Sequence, residues 1–492
     1  MNTKNGLGSL FSETVVYSAA NVISRFAPLI FLPLYTRVVS PADFGVLSAV
    51  FTVSAVVGII VGLQLESSVF RWFVEYEGNL EKQRSTVSSA FWCQLGFAAT
   101  VAFAVILTRA DIGTYIYPEQ PNITGDLIAM SVAGLFFAIA ENTTLSLFRI
   151  QRRKAATFLV ATLGVVVNVA TTIYFVVYLD WKLFGIVVSL LAAAIAKSLF
   201  YLIPLYSWIS PNRISFPLLR EMLNYALPLI PAGLFLWVIA LIDRLFLVRY
   251  STLSDAGLYQ VASNLSTGVA IAVTGFLQAW TPYAFSIRED ANAKKVYAVV
   301  FEIFLVLACL LSIVSSLFAP EALTILTTPP YYPAFQNVGV LCLAFALQGV
   351  YQISGLGLAL ERRTKPIFYA TGIAALINVF LNLALIPGYG RFGAAWATFL
   401  SVLTIPIILF PIAQKTYFIP YNLPLGTVLL LGSVILIELF NAIVWPAPFT
   451  AFLIKGALVI ALILGAWILQ KRRWKTDVWQ ETGGTGVVNL HS

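Results

Sequence analysis

Long runs of apolar residues alternate with short polar segments along almost the whole chain. Fourteen of these runs are about 20 residues long, which an α-helix needs to cross a hydrocarbon layer of roughly 30 Å. The predicted spans are 12–35, 44–65, 86–108, 126–148, 155–178, 183–205, 223–248, 256–280, 296–318, 336–359, 366–386, 392–413, 425–445 and 450–470. The pattern predicts an all-α polytopic membrane protein with about 14 transmembrane helices.

The composition agrees with a chain that is solvated mainly by lipid. Hydrophobic residues make up 59% of the 492 residues and charged residues only 11%, whereas soluble proteins have about 25% charged residues. The segments between the spans are short, so no soluble catalytic or nucleotide-binding domain is predicted between them. The N-terminal segment is polar and runs directly into the first span, without the pattern of a cleavable signal peptide.

Basic residues set the predicted orientation. If the N-terminus is cytoplasmic, most of the 30 Lys and Arg residues lie in cytoplasmic segments, as the positive-inside rule requires. The segments on the other side hold only Arg37, Arg109, Lys182, Arg244, Arg249, Arg391 and Lys455. Both termini are therefore predicted to face the cytoplasm. The net charge of +8 is attributed to this orientation and not to nucleic-acid binding.

The chain also contains an internal repeat. Matched positions in the same order, about 210 residues apart, are Arg37, Asp43 and Gly45 with Arg249, Asp255 and Gly257; Arg152, Arg153 and Asn168 with Arg362, Arg363 and Asn378; and Gly185 with Gly393. Each copy holds six spans, an even number, so both copies enter the membrane in the same direction. The predicted units are two six-helix lobes, 1–210 and 211–415, an accessory helix pair, 416–470, and a cytoplasmic tail, 471–492.

Two of the repeated residue types have a direct structural interpretation. Asp43 and Asp255 precede apolar spans, where a carboxylate at the N-cap accepts hydrogen bonds from free backbone N–H groups. Gly45 and Gly257 are predicted to allow close approach of two helices.

Rare residues exclude several kinds of chemistry. The only histidine is His491, at the C-terminus, and the three cysteines, Cys93, Cys309 and Cys342, are far apart in apolar stretches. Histidine-based catalysis, zinc sites and disulfide frameworks are therefore not predicted, and neither is any cofactor. The sequence has no P-loop motif for ATP hydrolysis.

Three ionisable residues lie within spans of the first lobe and are the main candidates for substrate binding. Arg25 lies near the middle of the first span, Glu141 lies deep in the fourth, and Lys197 lies in the cytoplasmic half of the sixth. Charges inside a membrane are costly and usually face a cavity or each other. A net cationic interior suits an anionic group such as a pyrophosphate. The alternatives are that Arg25 pairs with Glu141 or Glu66, and that Lys197 extends to the membrane surface.

Other polar residues in spans have weaker predicted roles. Asn168 is a further substrate-binding candidate, although an interhelical hydrogen bond is the simpler interpretation of both Asn168 and its repeat partner Asn378. Asp243, Arg244 and Glu66 are candidates for coupling or gating. The alternative for Asp243 and Arg244 is a structural pair near a membrane interface.

With these features the chain resembles the polysaccharide flippases, the Wzx-like transporters of the multidrug/oligosaccharidyl-lipid/polysaccharide exporter superfamily. The stretches that carry the resemblance are LYTRVVSPADFGVLSAV (34–50), IDRLFLVRYSTLSDAGLYQVASNLS (242–266) and the segments that end at Asn168 and Asn378. The resemblance implies two lobes around a central cavity that opens alternately to each side. It implies transport of undecaprenyl-pyrophosphate-linked oligosaccharide across a bacterial inner membrane, and cationic residues in the cavity, which Arg25 and Lys197 match.

The sequence is also compatible with other functions. The expected partners are the lipid-linked oligosaccharide, membrane lipids and other polysaccharide-assembly proteins. A cation-coupled small-molecule exporter has the same fold, but the cationic first lobe disfavours cationic drugs as substrates. A membrane glycan polymerase needs catalytic groups, and the two longest outer loops carry only Arg109, Asp111, Glu119 and Glu321 as charged residues. A structural scaffold does not explain Arg25.

Overall fold

The computed structural model describes residues 29–151, 153–443, 450 and 452–464. Within these residues, eleven helical segments are long and apolar enough to cross a membrane, and some of these segments contain two of the helices named below. Two shorter apolar helices are Leu29–Val38 and Phe452–Leu464. The helices are α1 (Leu29–Val38), α2 (Pro41–Gly62), α3 (Leu65–Glu75), α4 (Leu80–Leu107), α5 (Arg109–Ile116), α6 (Pro121–Ile150), α7 (Lys154–Thr172), α8 (Lys182–Leu205), α9 (Phe216–Ala226), α10 (Ile230–Tyr250), α11 (Leu253–Ser286), α12 (Ala293–Leu317), α13 (Ala319–Leu326), α14 (Phe335–Ser354), α15 (Leu356–Leu360), α16 (Lys365–Thr416), α17 (Leu423–Ala442) and α18 (Phe452–Leu464).

The prediction of an all-α polytopic membrane protein is confirmed. Every predicted span has a helix at its place, although only part of the first and of the last is described. Spans eleven and twelve are two helices within the segment α16, which has 52 residues and is interrupted at Gly390, where φ is +54°. A positive φ costs glycine little, so the chain reverses there without an intervening loop. The short helices α3, α5, α9 and α13, at the ends of spans, were not predicted.

We call α1–α8 the N-lobe and α9–α16 the C-lobe, after the two predicted six-helix units. In the N-lobe, α6 packs against α4, α5 and α8, and in the C-lobe, α16 packs against α10 and α14. The helix α2 belongs to the N-lobe and joins the lobes, since it packs against α10 and α11 of the C-lobe. We call the end of the molecule where α2 and α11 begin the sealed face. The opposite end, where α3 ends and α4 begins, is the basic face, because Arg71, Lys82, Arg149 and Arg213 lie near it.

The last two spans attach to the C-lobe. The helix α17 packs on α12 and α14. At the sealed face, Lys455 of α18 is only 1% exposed, and its Nζ lies 2.7 Å from Oε1 of Glu321 on α13. A buried charge-assisted hydrogen bond therefore fixes the accessory pair to the lobe.

The variant Lys455→Met is expected to destabilise this attachment by about 1–3 kcal/mol, because it leaves the Glu321 carboxylate without its cation. The thermal unfolding temperature in detergent should fall. Lys415→Met is the matched control, because Lys415 is exposed near the end of α16. Equal unfolding temperatures for the two variants would contradict this role of the pair.

Candidate functional site

The lobes meet at the sealed face through repeat-equivalent residues. A Cβ atom on Gly45 would lie 2.0 Å from the backbone oxygen of Leu253, and a Cβ on Gly257 would lie 1.9 Å from that of Pro41. Pro41 and Leu253 are themselves repeat equivalents, so the contact is reciprocal, like that across a two-fold axis. The predicted role of Gly45 and Gly257 in close helix approach is confirmed.

The ends of α2 and α11 at this contact are capped, but not by the predicted residues. Ser40 and Thr252 are the N-caps, and their side chains accept hydrogen bonds from the backbone N–H groups of Asp43 and Asp255. Asp43 completes a capping box with Ser40. Asp255 instead binds Arg391 at 2.9 Å and Ser251 at 2.7 Å. The prediction of the two aspartates as N-caps was wrong, since both stand three residues further along.

Hydrogen bonds extend the contact across the lobes. Ser48 Oγ donates to Gln260 Oε1 at 3.2 Å, and this pair is also repeat-equivalent. Beside it, Thr328 Oγ1 donates to the Thr36 backbone oxygen at 2.9 Å, and the Tyr331 hydroxyl donates to the Val39 backbone oxygen at 2.9 Å. We call these residues, with Gly45 and Gly257, the seal. The seal closes the space between the lobes on this face.

The second repeat does not reproduce a break that interrupts span two of the first. Leu63 and Gln64 between α2 and α3 both have left-handed backbones, with φ of 48° and 51°. The equivalent span in the C-lobe, α11, is one helix of 34 residues. Two consecutive non-glycine residues in this conformation are strained, and such strain clusters at functional positions. Irregular backbone within a membrane is tolerated where it lines a cavity.

A polar cavity adjoins this break in the half of the N-lobe nearer the basic face. It measures about 250 Å³, and its polar lining residues are Gln64, Glu66, Gln94, Asn142, Thr143 and Ser146. The Gln94 side-chain amide donates to the Gly62 backbone oxygen at 2.7 Å, and so satisfies a carbonyl group at the break. At the rim, Glu66 accepts hydrogen bonds from Ser146 at 3.2 Å and Arg149 at 3.4 Å. The polar groups of the lining are mostly amides and hydroxyls, which pair well with sugar hydroxyl groups, and they lie beside apolar side chains that include Val69, Val87 and Leu147.

Lys197 and Glu141 form an ion pair inside the N-lobe. Their Nζ and Oε2 atoms are 2.8 Å apart, and their side chains are 13% and 22% exposed. The Tyr201 hydroxyl lies 3.4 Å from Glu141 Oε1 and donates to the Val160 backbone oxygen at 3.0 Å. Gly164 leaves room for the cluster, because a Cβ there would lie 3.0 Å from the Tyr201 hydroxyl. Lys197 therefore pairs within the lobe and does not extend to the membrane surface.

Asp243 and Arg244 form the core of a buried network in the C-lobe. They are 1% and 3% exposed, and Arg244 Nη1 lies 2.7 Å from Asp243 Oδ1. Asp243 Oδ2 also accepts hydrogen bonds from Tyr259 and Thr398. The pair lies within the last eight residues of α10, and side chains of α11 and α16 cover it, so its position near a membrane interface stays a prediction while its burial is observed.

This network touches the seal. Arg244 Nε donates to Gln260 Oε1 at 3.0 Å, the same oxygen that accepts from Ser48 of the N-lobe. Arg244 Nη2 donates to Ser263 at 2.8 Å. The buried guanidinium thus lies one residue from the contact between the lobes, which is where a group that couples charge to lobe movement would have to lie.

The remaining predicted residues do not join one cluster. Arg25 lies outside the described residues. Glu141 and Glu66, its predicted partners, bind Lys197 and Arg149 respectively. Asn378 donates to Ser401 at 3.0 Å across the two arms of α16, which confirms its interhelical bond. Asn168 is partly exposed, and its side chain makes no hydrogen bond to the part of the chain that the structure describes.

Several residues of the site were not predicted. Gln64 and Gln94 are amide residues within or beside apolar spans. A polar residue type at such a position is itself a sequence signal. Ser48 and Gln260 stand 212 positions apart, as Gly45 and Gly257 do, so extending the repeat alignment by three residues would have paired them. The break at Leu63 and Gln64 has only the neighbouring Gly62 as a sequence signal.

Comparisons with known proteins agree on the fold. The family model described as "Polysaccharide biosynthesis protein" matches residues 10–288. The uncharacterized membrane protein MJ1068 of Methanocaldococcus jannaschii is 23% identical over 408 residues, which are 76% of this chain and 78% of that protein.

Two solved structures have similar folds. An inward-facing multidrug resistance MATE family transporter of the MOP superfamily superposes with a TM-score of 0.68 at 14% identity, over 80% of this chain and 94% of its own. The lipid II flippase MurJ, in an inward closed conformation, superposes with a TM-score of 0.67 at 16% identity, over 93% of this chain and 99% of its own. The all-α fold and the resemblance stated from the sequence are confirmed.

Proposed function

The chain belongs to the polysaccharide biosynthesis protein family, and from this premise we propose that it is a lipid-linked oligosaccharide flippase. It moves undecaprenyl-pyrophosphate-linked oligosaccharide from the cytoplasmic to the outer leaflet of a bacterial inner membrane, for O-antigen or exopolysaccharide synthesis. No covalent bond changes in this process, so the protein is a transporter and not an enzyme. Both termini face the cytoplasm, which makes the basic face cytoplasmic and the sealed face external.

The observation that carries the proposal is the polar cavity beside the break in span two. Its amide and hydroxyl lining can exchange hydrogen bonds with a neutral glycan, and Glu66 can accept further bonds from sugar hydroxyls. The cavity lies in the half of the protein where the glycan would enter from the cytoplasm.

The pyrophosphate needs a cation, and we assign this role to Arg25 in the first span. Lys197 is a second candidate, but its ion pair with Glu141 is already formed at 2.8 Å. Lys197 would contact the pyrophosphate only if that pair opened. Asn168 lies in α7, which packs against the helix α8 of Lys197, and its side chain is partly exposed. It is the proposed neutral contact to the substrate.

Transport follows from rocking of the two lobes about the cavity. The seal closes the external side while the substrate enters, and breaking it opens that side. Asp243 and Arg244 couple this movement to charge through Gln260, and Glu66 with Arg149 acts at the cytoplasmic rim. An ion gradient would supply the energy.

The alternative is a cation-coupled small-molecule exporter. The similarity to a MATE family transporter supports it at the level of the fold. The share of this chain that superposes is larger for the lipid II flippase, 93% against 80%. The match to the polysaccharide biosynthesis family favours the flippase over the exporter.

The variant Arg25→Ala is expected to reduce transport at least about 100-fold, because loss of a charge-assisted contact to pyrophosphate inside a membrane removes about 3 kcal/mol of binding. Surface polysaccharide in a complemented deletion strain measures it. The protein should remain inserted at the wild-type level. Full restoration of surface polysaccharide by Arg25→Ala would show that Arg25 does not bind the substrate.

Deletion of the gene tests the function itself. Lipid extracts should then accumulate undecaprenyl-pyrophosphate oligosaccharide on the cytoplasmic side, with loss of surface polysaccharide. Unchanged lipid intermediates together with lowered drug resistance would favour the exporter.

A further inference from the structure

The sealed face carries a cleft that the proposed transport path does not use. It lies between α5 of the N-lobe and the end of α10 of the C-lobe, which are in contact. Two cavities of about 360 and 480 Å³ adjoin here, and both are lined by Tyr115 and Arg249. The cleft therefore has two compartments, with a tyrosine ring and a guanidinium at the boundary between them.

The two compartments differ in the side chains that line them, although apolar atoms form most of the lining surface of both. The smaller is lined by apolar side chains that include Ile242, Leu245 and Phe246. The larger is lined by Asp111, Thr114 and Pro118. Arg249 thus lies between a compartment of aliphatic and aromatic side chains and one to which Asp111 and Thr114 contribute a carboxylate and a hydroxyl group. An amphiphile with a hydrocarbon chain, a phosphate and a polar head has the same order of groups.

The charged groups of the cleft are available to a ligand. Within the residues that the structure describes, neither Arg249 nor Asp111 forms an ion pair, whereas neighbouring Arg109 binds Asp126 at 3.0 Å. Arg249 presents the planar donor set that suits phosphate oxygens. Asp111 accepts hydrogen bonds but repels phosphate, so the compartment that contains its carboxylate favours hydroxyl donors over a second phosphate. Tyr115 is 82% exposed and offers a ring face against which a sugar can stack.

We propose that this cleft binds the phosphate-linked sugar head of a membrane-anchored lipid at the sealed face. The hydrocarbon chain of the lipid lies among Ile242, Leu245 and Phe246. Its phosphate binds Arg249, and its first sugar lies between Tyr115 and Asp111. The proposal rests on the proposed function, and it adds a second binding position where the flipped product is held outside the seal. Since the cleft is formed by both lobes, its occupancy shifts the balance between lobe arrangements.

Bound lipids counted by native mass spectrometry test the proposal on the full-length protein. The first probe is undecaprenyl diphosphate. Wild type should bind two copies, one at Arg25 and one at Arg249, and Arg249→Ala should bind the second copy at least about tenfold more weakly. Arg37→Ala is the matched control, because Arg37 is the exposed repeat equivalent of Arg249 and lines neither cavity. It should retain both copies.

The same series separates this inference from the proposed function. If Arg249→Ala still binds two copies, the cleft assignment is wrong. If Arg25→Ala keeps two copies while Arg249→Ala loses one, the assignment of Arg25 fails and the cleft stands. Displacement of the second copy by equimolar phosphatidylglycerol would show a general anionic-lipid site and overturn the assignment to a sugar-bearing lipid.

A second probe tests the sugar contacts. The lipid-linked oligosaccharide extracted from the host should bind Asp111→Asn and Tyr115→Ala several-fold more weakly than wild type, while undecaprenyl diphosphate binds all three equally. Tyr178→Ala is the control for an exposed aromatic at the same face, since Tyr178 is 79% exposed and outside the cleft. An equal loss in Tyr178→Ala would attribute the effect to membrane anchoring and overturn the sugar contact.

Discussion

The variant Gly257→Val is expected to lose transport almost completely. A Cβ at position 257 would lie 1.9 Å from the Pro41 backbone oxygen, which cannot move aside as a flexible side chain could. The helices must separate, at a cost of about 3 kcal/mol, which changes the ratio of sealed to unsealed molecules roughly 100-fold. A flippase that cannot close its external side cannot reload from the cytoplasm. Surface polysaccharide in a complemented deletion strain measures the loss.

The same helix offers a matched control for this substitution. Gly268 also lies in α11, and a Cβ there would meet nothing within 4 Å, so Gly268→Val should transport normally. Gly45→Val should behave like Gly257→Val, because its Cβ would lie 2.0 Å from the Leu253 oxygen. Cysteines at Ser48 and Gln260 report the seal directly, since they should cross-link by oxidation unless Gly257→Val is present. Normal transport by Gly257→Val with intact cross-linking would show that the seal is not required.

The variant Asp243→Leu is expected to destabilise the protein by about 3–5 kcal/mol, because it leaves a buried guanidinium without its carboxylate. Arg244 is 3% exposed, so water cannot replace the lost partner. Unfolding in detergent can be followed with a thiol-reactive dye, because Cys309 and Cys342 are buried in the same lobe. The unfolding temperature should fall well below that of wild type.

The double variant Asp243→Leu/Arg244→Leu tests the cause. Removing both charges should recover part of the stability, since a buried pair replaced by apolar residues costs far less than a broken pair. If the double variant were less stable than Asp243→Leu alone, the hydrogen bonds from Arg244 to Gln260 and Ser263 would carry more stability than the ion pair.

The sequence was sufficient to predict the spans, because their length and apolar content are dictated by the bilayer itself. It was not sufficient for their breaks. Hydropathy treats 44–65 as one span, and the structure ends α2 at Gly62 and begins α3 at Leu65. The break depends on backbone angles at Leu63 and Gln64, and neither residue type favours positive φ.

Partners of the charged side chains could not be predicted either. Lys197 and Glu141 stand in different spans, and whether they meet depends on how the helices are rotated about their axes, which packing decides. The burial of Asp243 and Arg244 could not be predicted from their depth along the span, because it depends on which helices cover that face. The repeat was more informative, since equivalent residues near a two-fold axis must face each other, as Gly45 and Gly257 do.

Movement of a lipid-linked oligosaccharide between leaflets is the proposed activity. It is tested most directly in proteoliposomes that contain the purified protein and the host lipid-linked oligosaccharide with a fluorophore on its glycan. Dithionite added outside quenches only the fluorophores of the outer leaflet. With the wild-type protein and an imposed proton or sodium gradient, quenching should continue to near completion, whereas Arg25→Ala should stop after one leaflet. If the wild-type protein also stopped after one leaflet while it transported a fluorescent cationic drug, the flippase account would be contradicted and the exporter would replace it.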